Sequence, residues 1–403
     1  MKILIVGAGF GGLALAAYLQ RDGHAVTIVE KSKDRKYQGF VIGLWGNGIH
    51  TLEPFGVVER IWHLSIPVTQ ELIRDKTGKI LARMDYRPLI ERTGRVFLLL
   101  HSELQEILRE LANGVPIHFE TTVSALEEKQ QTVSVTFSDG SQEDYELVVG
   151  ADGIHSQVRT LLFGNEGFEH SGLRIWVAML PAGKESLNEP NDLFGEAEYV
   201  GIFPTRSGKV GVLFLASIAG EPDLPHNRIE YLKTRFSDFG WIVPDILQSL
   251  HDPKEVFADD IDQISLETWY RGRVALLGDA AHAVSPTAAL GGAMALEDAH
   301  VLAEELRQVE IRPCTAGEPD KSALYSASSS AQQGRRGVVE EALANYVSRR
   351  KPRVAKVHHT SDFLIWLVSM NYPAMTFVRN TIMHLIPSSY LLRGMEPILE
   401  TEA

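Results

Sequence analysis

Three glycine-and-acid clusters stand far apart in this chain: Gly7-Ala-Gly9-Phe-Gly11-Gly12, Gly150-Ala-Asp152-Gly153 and Gly278-Asp279-Ala-Ala-His282. The first follows the apolar run Ile3-Leu-Ile-Val6 and opens a stretch carrying Leu13, Ala16, Ala17 and Leu19 on one side, which predicts a strand, a tight turn and a helix. In such a turn Gly7 permits the bend, Gly9 lets backbone approach a pyrophosphate, and Gly12 allows close helix-to-strand packing; the helix start adds oriented N–H groups and a positive dipole. Glu30 lies at the end of the second predicted strand, Ala25 to Val29, where a carboxylate can accept both hydroxyls of an adenosine ribose and repel a 2'-phosphate. The segment therefore reads as a site for FAD or NAD, with the choice left to the later motifs.

The second cluster follows Leu147-Val-Val149 and continues into Ser156-Gln-Val-Arg159, a strand end passing into a capped helix start. Asp152 there can meet a dinucleotide or simply cap the turn. The third, after Arg273-Val-Ala-Leu-Leu277, again sets an acid, Asp279, at the carboxyl end of a strand, where ligands of open α/β sheets bind. Such a carboxylate can accept a ribityl hydroxyl. Ser285-Pro286 and then Leu290-Gly291-Gly292 open a long helix whose free N–H groups can hold a pyrimidine oxygen of a flavin ring and stabilise negative charge on it; close helix packing is the other use of that glycine pair.

The elements that position these clusters follow from pattern. Residues 1–30 read as β-α-β, the start of a doubly wound sheet. Thr132-Val-Ser-Val-Thr-Phe137 alternates and meets a Ser-Asp-Gly turn, predicting a small meander that returns into the sheet at Leu147. Leu173 to Met179, Glu198 to Phe203 and Val210 to Ala216, with a hairpin over Glu71 to Met84, predict a second, mostly antiparallel sheet whose face walls a substrate. Between Gln308 and Arg336 the composition turns to Pro, Gly, Ser and Gln and reads as a loop; Gly337 to His358 reads as a helix that is basic on one side, with His358-His359 in solvent.

With 39 basic against 52 acidic side chains, the net charge of -13 argues against nucleic acid as a partner. The lone Cys314 excludes an intrachain disulfide and a multi-thiolate metal site and suits a reducing, cytoplasmic setting; no metal spacing is present. Strand-like residues follow Met1-Lys2 directly, so no signal peptide is expected. Asn371, Pro373, Arg379 and Pro387 interrupt the apolar tail, so bilayer insertion is not expected, although a peripheral membrane contact stays open.

Taken in order, these motifs resemble the class A FAD-dependent aromatic monooxygenases, the group of p-hydroxybenzoate and salicylate hydroxylases, with Lys33-Asp-Arg35 similar to the tetracycline-modifying branch. The resemblance spans nearly the whole chain. It implies FAD as cofactor, NAD(P)H as a transient co-substrate, and O2 passing through a C4a-hydroperoxyflavin to hydroxylate an aromatic or polycyclic small molecule. It assigns Gly7, Gly9, Gly12, Glu30, Lys31, Arg35, His101, Val123, Asp152, Gly278, Asp279, Pro286, Gly291 and Gly292 to the cofactor. The Gly43-Leu-Trp45-Gly-Asn47 segment is similar to the family's flavin-and-substrate region. Trp45, Asn47, Trp176, Phe203 and Phe214 are the substrate-pocket candidates, each equally able to be core. Two departures stand out: His101 replaces the family's Arg or Gln, and Ala288-Ala-Leu290-Gly291-Gly292 replaces Gly-Gln-Gly.

The expected fold is a Rossmann-like doubly wound sheet with an interleaved antiparallel substrate sheet and C-terminal helices. FAD-binding parts are expected over 1–70, 101–168 and 269–306, a substrate hairpin over 71–100 and the substrate domain over 169–268. A loop over 307–336 and a helical region over 337–403 complete it. No catalytic base is readable and the oligomeric state is left open. A reductase, a halogenase or a non-catalytic FAD-binding redox sensor is the competing reading; the Trp-x-Trp-x-Ile-Pro segment of halogenases is absent.

Overall fold

The computed structural model describes residues 1–33, 40–181, 187–218, 220–311 and 327–399. Its first sheet is six-stranded. In order across it run Tyr270–Arg271, Val274–Leu276, Leu147–Gly150, Lys2–Val6, Ala25–Glu30 and Ile117–Phe119, all parallel except the first. Apolar strands buried on both faces belong in such a sheet, and Ile3, Leu4, Ile5, Leu147, Val148 and Val149 are fully inaccessible. Register aligns Val6 with Gly150 and Gly150 with Leu276, so the three glycine-and-acid clusters leave the same edge of neighbouring strands.

The helix Phe10–Arg21 packs on this sheet together with the long helix Gly291–Ile311. Only glycine fits at the closest points: a Cβ on Gly12 would lie 2.1 Å from the Gly7 carbonyl oxygen, and one on Gly7, at φ +111°, would lie 2.3 Å from the Ala151 oxygen. The meander Val123–Glu128, Val133–Phe137 and Gln142–Tyr145 forms a separate three-stranded sheet that leads into Leu147.

The second large sheet has seven strands: Phe257–Ile264, Phe168–Pro181, Lys209–Ser217, Glu198–Pro204, Asn191–Phe194, Gln70–Asp75 and Ile80–Asp85. It is antiparallel except where Asn191–Phe194 runs parallel to Gln70–Asp75. One face is covered by the helices Arg228–Arg235 and Val243–Ser249, which bury Leu232, Phe236, Val243 and Leu247 with Trp176 and Phe214. The other face looks toward the first sheet, and at one end Leu173, Phe194, Leu215 and Ile261 meet Val368 of the C-terminal region. A small sheet of Val41–Leu44, Phe97–Leu100 and Ile66–Pro67 lies between the two.

The stretch 307–336 is not one loop. The preceding helix continues to Ile311 and the next begins at Ala327 and runs to Val368, so the helix expected from Gly337 to His358 extends at both ends. His358, expected in solvent, is half-buried and its Nδ1 lies 2.9 Å from Gln263 Oε1. The helix Pro373–Leu385 and shorter turns follow. No described helix is long and apolar enough to cross a membrane.

Candidate active site

The carboxyl edge of the first sheet forms one end of a cavity of about 510 Å³, and the inner face of the seven-stranded sheet forms the other. At the first end the glycine turn is built as a cradle. Gly9 precedes the helix Phe10–Arg21 without any side-chain cap, and a Cβ on it would meet nothing within 4 Å, so the first-turn N–H groups face open space. An anionic phosphate suits that position on charge and donor geometry. Glu30 reaches back from the neighbouring strand: its two oxygens accept from the backbone N–H of Ala8 at 2.9 Å and of Ser32 at 2.8 Å, which fixes the carboxylate beside the turn.

Asp279 begins a short turn of helix through His282 and lines the cavity with Gly278, Pro286, Gly291 and Gly292. A Cβ on Gly291 would come 3.8 Å from Asp279 Oδ1, so the acid and the glycine pair are neighbours on the cavity wall. Burial pushes the Asp279 carboxyl above the usual range, with nearby His282 opposing. Donors from a polyol would relieve that penalty. His101 starts the helix His101–Leu111, stacks on Phe10 at 4.3 Å between ring centres, and lines the same cavity. Burial lowers its pKa to about 4, so the imidazole is neutral near pH 7 and contributes no fixed positive charge.

Asp152 is used differently. It accepts from Ser156 Oγ at 2.5 Å and from the N–H groups of Gln157 at 2.7 Å and Val158 at 3.2 Å, and so caps the helix Gln157–Phe163; its neighbours Ala151 and Gly153 line the cavity instead. Arg159 is buried and spans the second and third motifs, donating to the carbonyls of Ile154 and Ala280. Val123 is buried at the start of its strand and lies off the cavity, two residues beyond Thr121, whose N–H bonds the Glu30 carbonyl. Lys31 is exposed directly after Glu30, and Arg35 lies outside the described residues.

Among the substrate candidates, Trp45 and Phe203 line the cavity. Trp45 is 94% buried as judged from its 6% exposure, and its indole N–H has no acceptor among the described residues. Asn47 sits off the cavity on the short helix Gly46–His50, buried and with neither amide atom bonded. Trp176 and Phe214 do not belong to the site. They are register partners on adjacent strands and point to the helix-covered face, with Trp176 5.2 Å from Tyr231 and Phe214 5.0 Å from Phe236. Because side chains alternate along a strand, their neighbours Ile175, Val177 and Leu213 hold the cavity positions.

Two groups of residues escaped the motif reading. Buried Asp298, on the helix after Gly291, accepts from the Gly278 N–H at 2.9 Å, lies 2.6 Å from His282 Nε2 and accepts from Arg350 Nε at 2.6 Å. Glu297 takes Arg350 at 2.8 Å and Arg353 at 2.7 Å. The ribityl motif is thereby clamped to the C-terminal helix. Burial raises the Asp298 carboxyl, but His282 and Arg350 outweigh it and hold the pKa at about 2. Acids on an otherwise apolar helix were the available signal; their arginine partners lie some fifty residues on. The second group is Glu71, Tyr86 and Asp192, beside Trp45.

A doubly wound sheet with an acid beside the glycine turn, an uncapped helix N-terminus and a second acid at a strand's carboxyl end is the architecture of a dinucleotide-dependent oxidoreductase. Residues 1–342 match the family model described as an FAD binding domain, and the chain belongs to that family. It is 31% identical over 322 residues to an FAD-dependent urate hydroxylase of Klebsiella pneumoniae, covering 76% of this chain and 82% of that one. A flavin-dependent monooxygenase of Legionella longbeachae is 27% identical over 313 residues, 76% of this chain and 80% of the relative. The solved structure of Klebsiella pneumoniae HpxO complexed with FAD and uric acid superposes with a TM-score of 0.84 at 25% identity, covering 99% of this chain and 96% of that one. The chain is accordingly a class A FAD-dependent monooxygenase, a hydroxylating enzyme with FAD as its cofactor.

Proposed function

We propose that this enzyme takes reducing equivalents from NADH or NADPH and inserts one atom of O2 into an aromatic or polycyclic small molecule, working in the cytoplasm. The observation that carries the reading is the single cavity joining Gly9, Asp279 and Gly291 to a wall of Trp45, Phe203, Ile175, Val177 and Leu213. These wall residues are apolar, as a ring-shaped organic substrate requires. Bound FAD supplies the redox chemistry and the activation of oxygen. The chain's own residues hold and orient: the turn that Gly7 and Gly12 allow to close receives the pyrophosphate at Gly9, Glu30 takes the ribose, Asp279 the ribityl chain, and the Gly291-Gly292 N–H groups the pyrimidine edge, with Lys31, Val123 and Pro286 as further contacts. Neutral His101 stacked on Phe10 closes the near side against water. The lone Cys314 suits a reducing compartment.

The test is an anaerobic absorption titration of the purified FAD-loaded protein with NADPH and then NADH, followed by aerobic turnover on a panel of aromatic substrates. Bleaching of the flavin and oxygenated product support the reading. Substrate-dependent NAD(P)H oxidation that yields hydrogen peroxide alone overturns it.

A further inference from the structure

The helix Pro373–Leu385 is built inside out. A helix packed on a globular protein turns its apolar residues inward. Here the buried positions are Thr376 and Arg379, while Met375, Val378, Ile382 and Leu385 form an exposed stripe along the helix, with Phe377 exposed beside it. Phe377 is 71% and Leu385 72% exposed, too open for either to serve packing within this chain. The rotation of the helix is fixed from its polar side. Arg379 donates to the carbonyls of Gly195 at 2.9 Å and Leu367 at 3.2 Å, and His384 Nδ1 lies 3.1 Å from the Leu81 carbonyl oxygen. Just before the helix, the N–H of Ala197 donates to the Met370 carbonyl at 2.7 Å.

The flanking segments repeat the pattern. Phe363 and Trp366, near the end of the preceding long helix, are exposed with their rings 5.8 Å apart, and Tyr372 and Tyr390 are exposed on either side of the inverted helix. From Phe363 to Met395 the sequence has no acid, in a chain that carries 52. Exposed Arg393 lies over the Tyr390 ring at 4.7 Å and pairs with no acid among the described residues. On its inner side the same region is a single layer thick: Ile365, Leu367, Val368 and Met383 pack in one cluster with Ile175 and Leu213, which line the cavity.

The chemistry of the face selects what covers it. A specific protein partner is held in register by about ten hydrogen bonds. The polar groups on this helix are already satisfied within the chain, Thr381 by the Phe377 carbonyl and His384 by the Leu81 carbonyl, so nothing on the face would orient a partner. A second copy would also bring a further net charge of -13 against the first, with no acid on the face to meet Arg393. A zwitterionic lipid surface needs no register and adds no net charge. It takes an apolar stripe among its acyl chains, Trp and Tyr rings at the headgroup level, and an arginine at the phosphates.

We propose that the segment from Phe363 to Arg393 is a docking surface for a phospholipid bilayer, with the helix Pro373–Leu385 lying in the interface plane and its stripe of Met375, Val378, Ile382 and Leu385 turned into the lipid. The helix rests on the membrane and does not cross it. On the hydroxylase reading above, docking seats the substrate end of the cavity one side-chain layer from the phase in which apolar ring compounds concentrate. The docking itself stands without that reading.

The test is flotation of the purified FAD-loaded protein with phosphatidylcholine vesicles on a density gradient. Wild type should rise with the vesicles and keep doing so in high salt, since the attachment is apolar. Phe377→Ser combined with Leu385→Ser should lower vesicle affinity by about tenfold or more while FAD content and thermal midpoint hold. Vesicles with brominated acyl chains should quench wild-type tryptophan fluorescence, and Trp366→Phe should remove most of that quenching. A wild type that does not float, flotation that the double variant retains, or quenching unchanged in Trp366→Phe overturns the proposal. So does a lipid-free wild-type dimer, seen by sedimentation velocity, that the double variant dissolves into monomers, because a second copy then covers the face. Failure of the hydroxylase reading is distinguishable, since flotation and quenching are measured without NAD(P)H or substrate.

Discussion

The two ends of the cavity are built on opposite plans. At the cofactor end the cavity-lining groups are largely backbone, in turns shaped by the close approaches of Gly7 and Gly12, and most acids there already have protein partners: Glu30 with Ala8 and Ser32, Asp152 with its own helix, Asp298 with Gly278, His282 and Arg350. At the substrate end the groups are side chains on strands, and Trp45 keeps a buried donor with no acceptor. A cofactor that never changes can be met by a fixed backbone, whereas selectivity among small-molecule substrates must be written in side chains.

The sharpest way to break this contrast is to attack the cofactor end through its hidden clamp. Asp298→Ala strands His282, Arg350 and the Gly278 N–H in the interior, and breaking such a buried pair costs about 3–5 kcal/mol. Urea unfolding of the purified variant should show that loss together with reduced FAD content; unchanged stability would mean the network is incidental. The clamp also has a pH signature. Because the folded-state pKa of Asp298 is depressed to about 2, its contribution is fully present above the ordinary carboxylate pKa and is lost as pH falls through about 2. Denaturant midpoints measured along an acid series should therefore fall in Asp298→Asn less than in the wild type over that interval.

Next in size is Gly7→Ala. It places a methyl 2.3 Å from the Ala151 oxygen at a positive φ, and overpacking of this kind costs about 1–3 kcal/mol. FAD affinity by fluorescence titration should drop at least tenfold, and wild-type affinity would remove the cradle from the account. Asp279→Ala removes a carboxylate that is exposed to the cavity, so stability should hold while FAD binding weakens by roughly 1–3 kcal/mol, the scale of hydrogen bonds to a charged group. A loss of stability without loss of FAD would reverse that assignment.

The smallest effects sharpen the line between wall and core. Trp176→Phe should lower the thermal midpoint and leave KM unchanged, because its ring lies among the outer helices. Phe203→Leu should do the reverse, shifting KM between substrates of different ring number with little change in stability. Identical behaviour of the two variants would show that the sheet's faces are not so divided.

The same contrast explains what the sequence made legible. Gly7, Gly9, Gly12, Glu30 and Asp279 could be read because a turn, a strand end and a helix start impose their spacing locally. Trp176 and Phe214 stayed undecided between pocket and core because a long apolar strand, buried on both faces, gives no sign of which alternate residues look inward. Asp152 has two meanings in the sequence, and its hydrogen bonds to Ser156, Gln157 and Val158 give the capping one a structural basis. Glu71 and Asp192 could not be paired at all, since more than a hundred residues separate them and only the parallel register of two short strands brings them together. The extent of the helices around 307–336 was hidden by composition, which marks breakers and says little about how far a helix persists between them.

The clamp has a consequence for synthesis. Gly7 emerges from the ribosome early, yet Asp279 follows some 270 residues later and Arg350, which pins Asp298 beneath it, some 70 residues after that. At synthesis rates of about 5–20 residues per second the nascent chain spends on the order of 20 to 70 s exposing an unfinished nucleotide fold. Capture of FAD is thus a late event, and the apolar strands made first must be kept from wrong partners until the last long helix arrives.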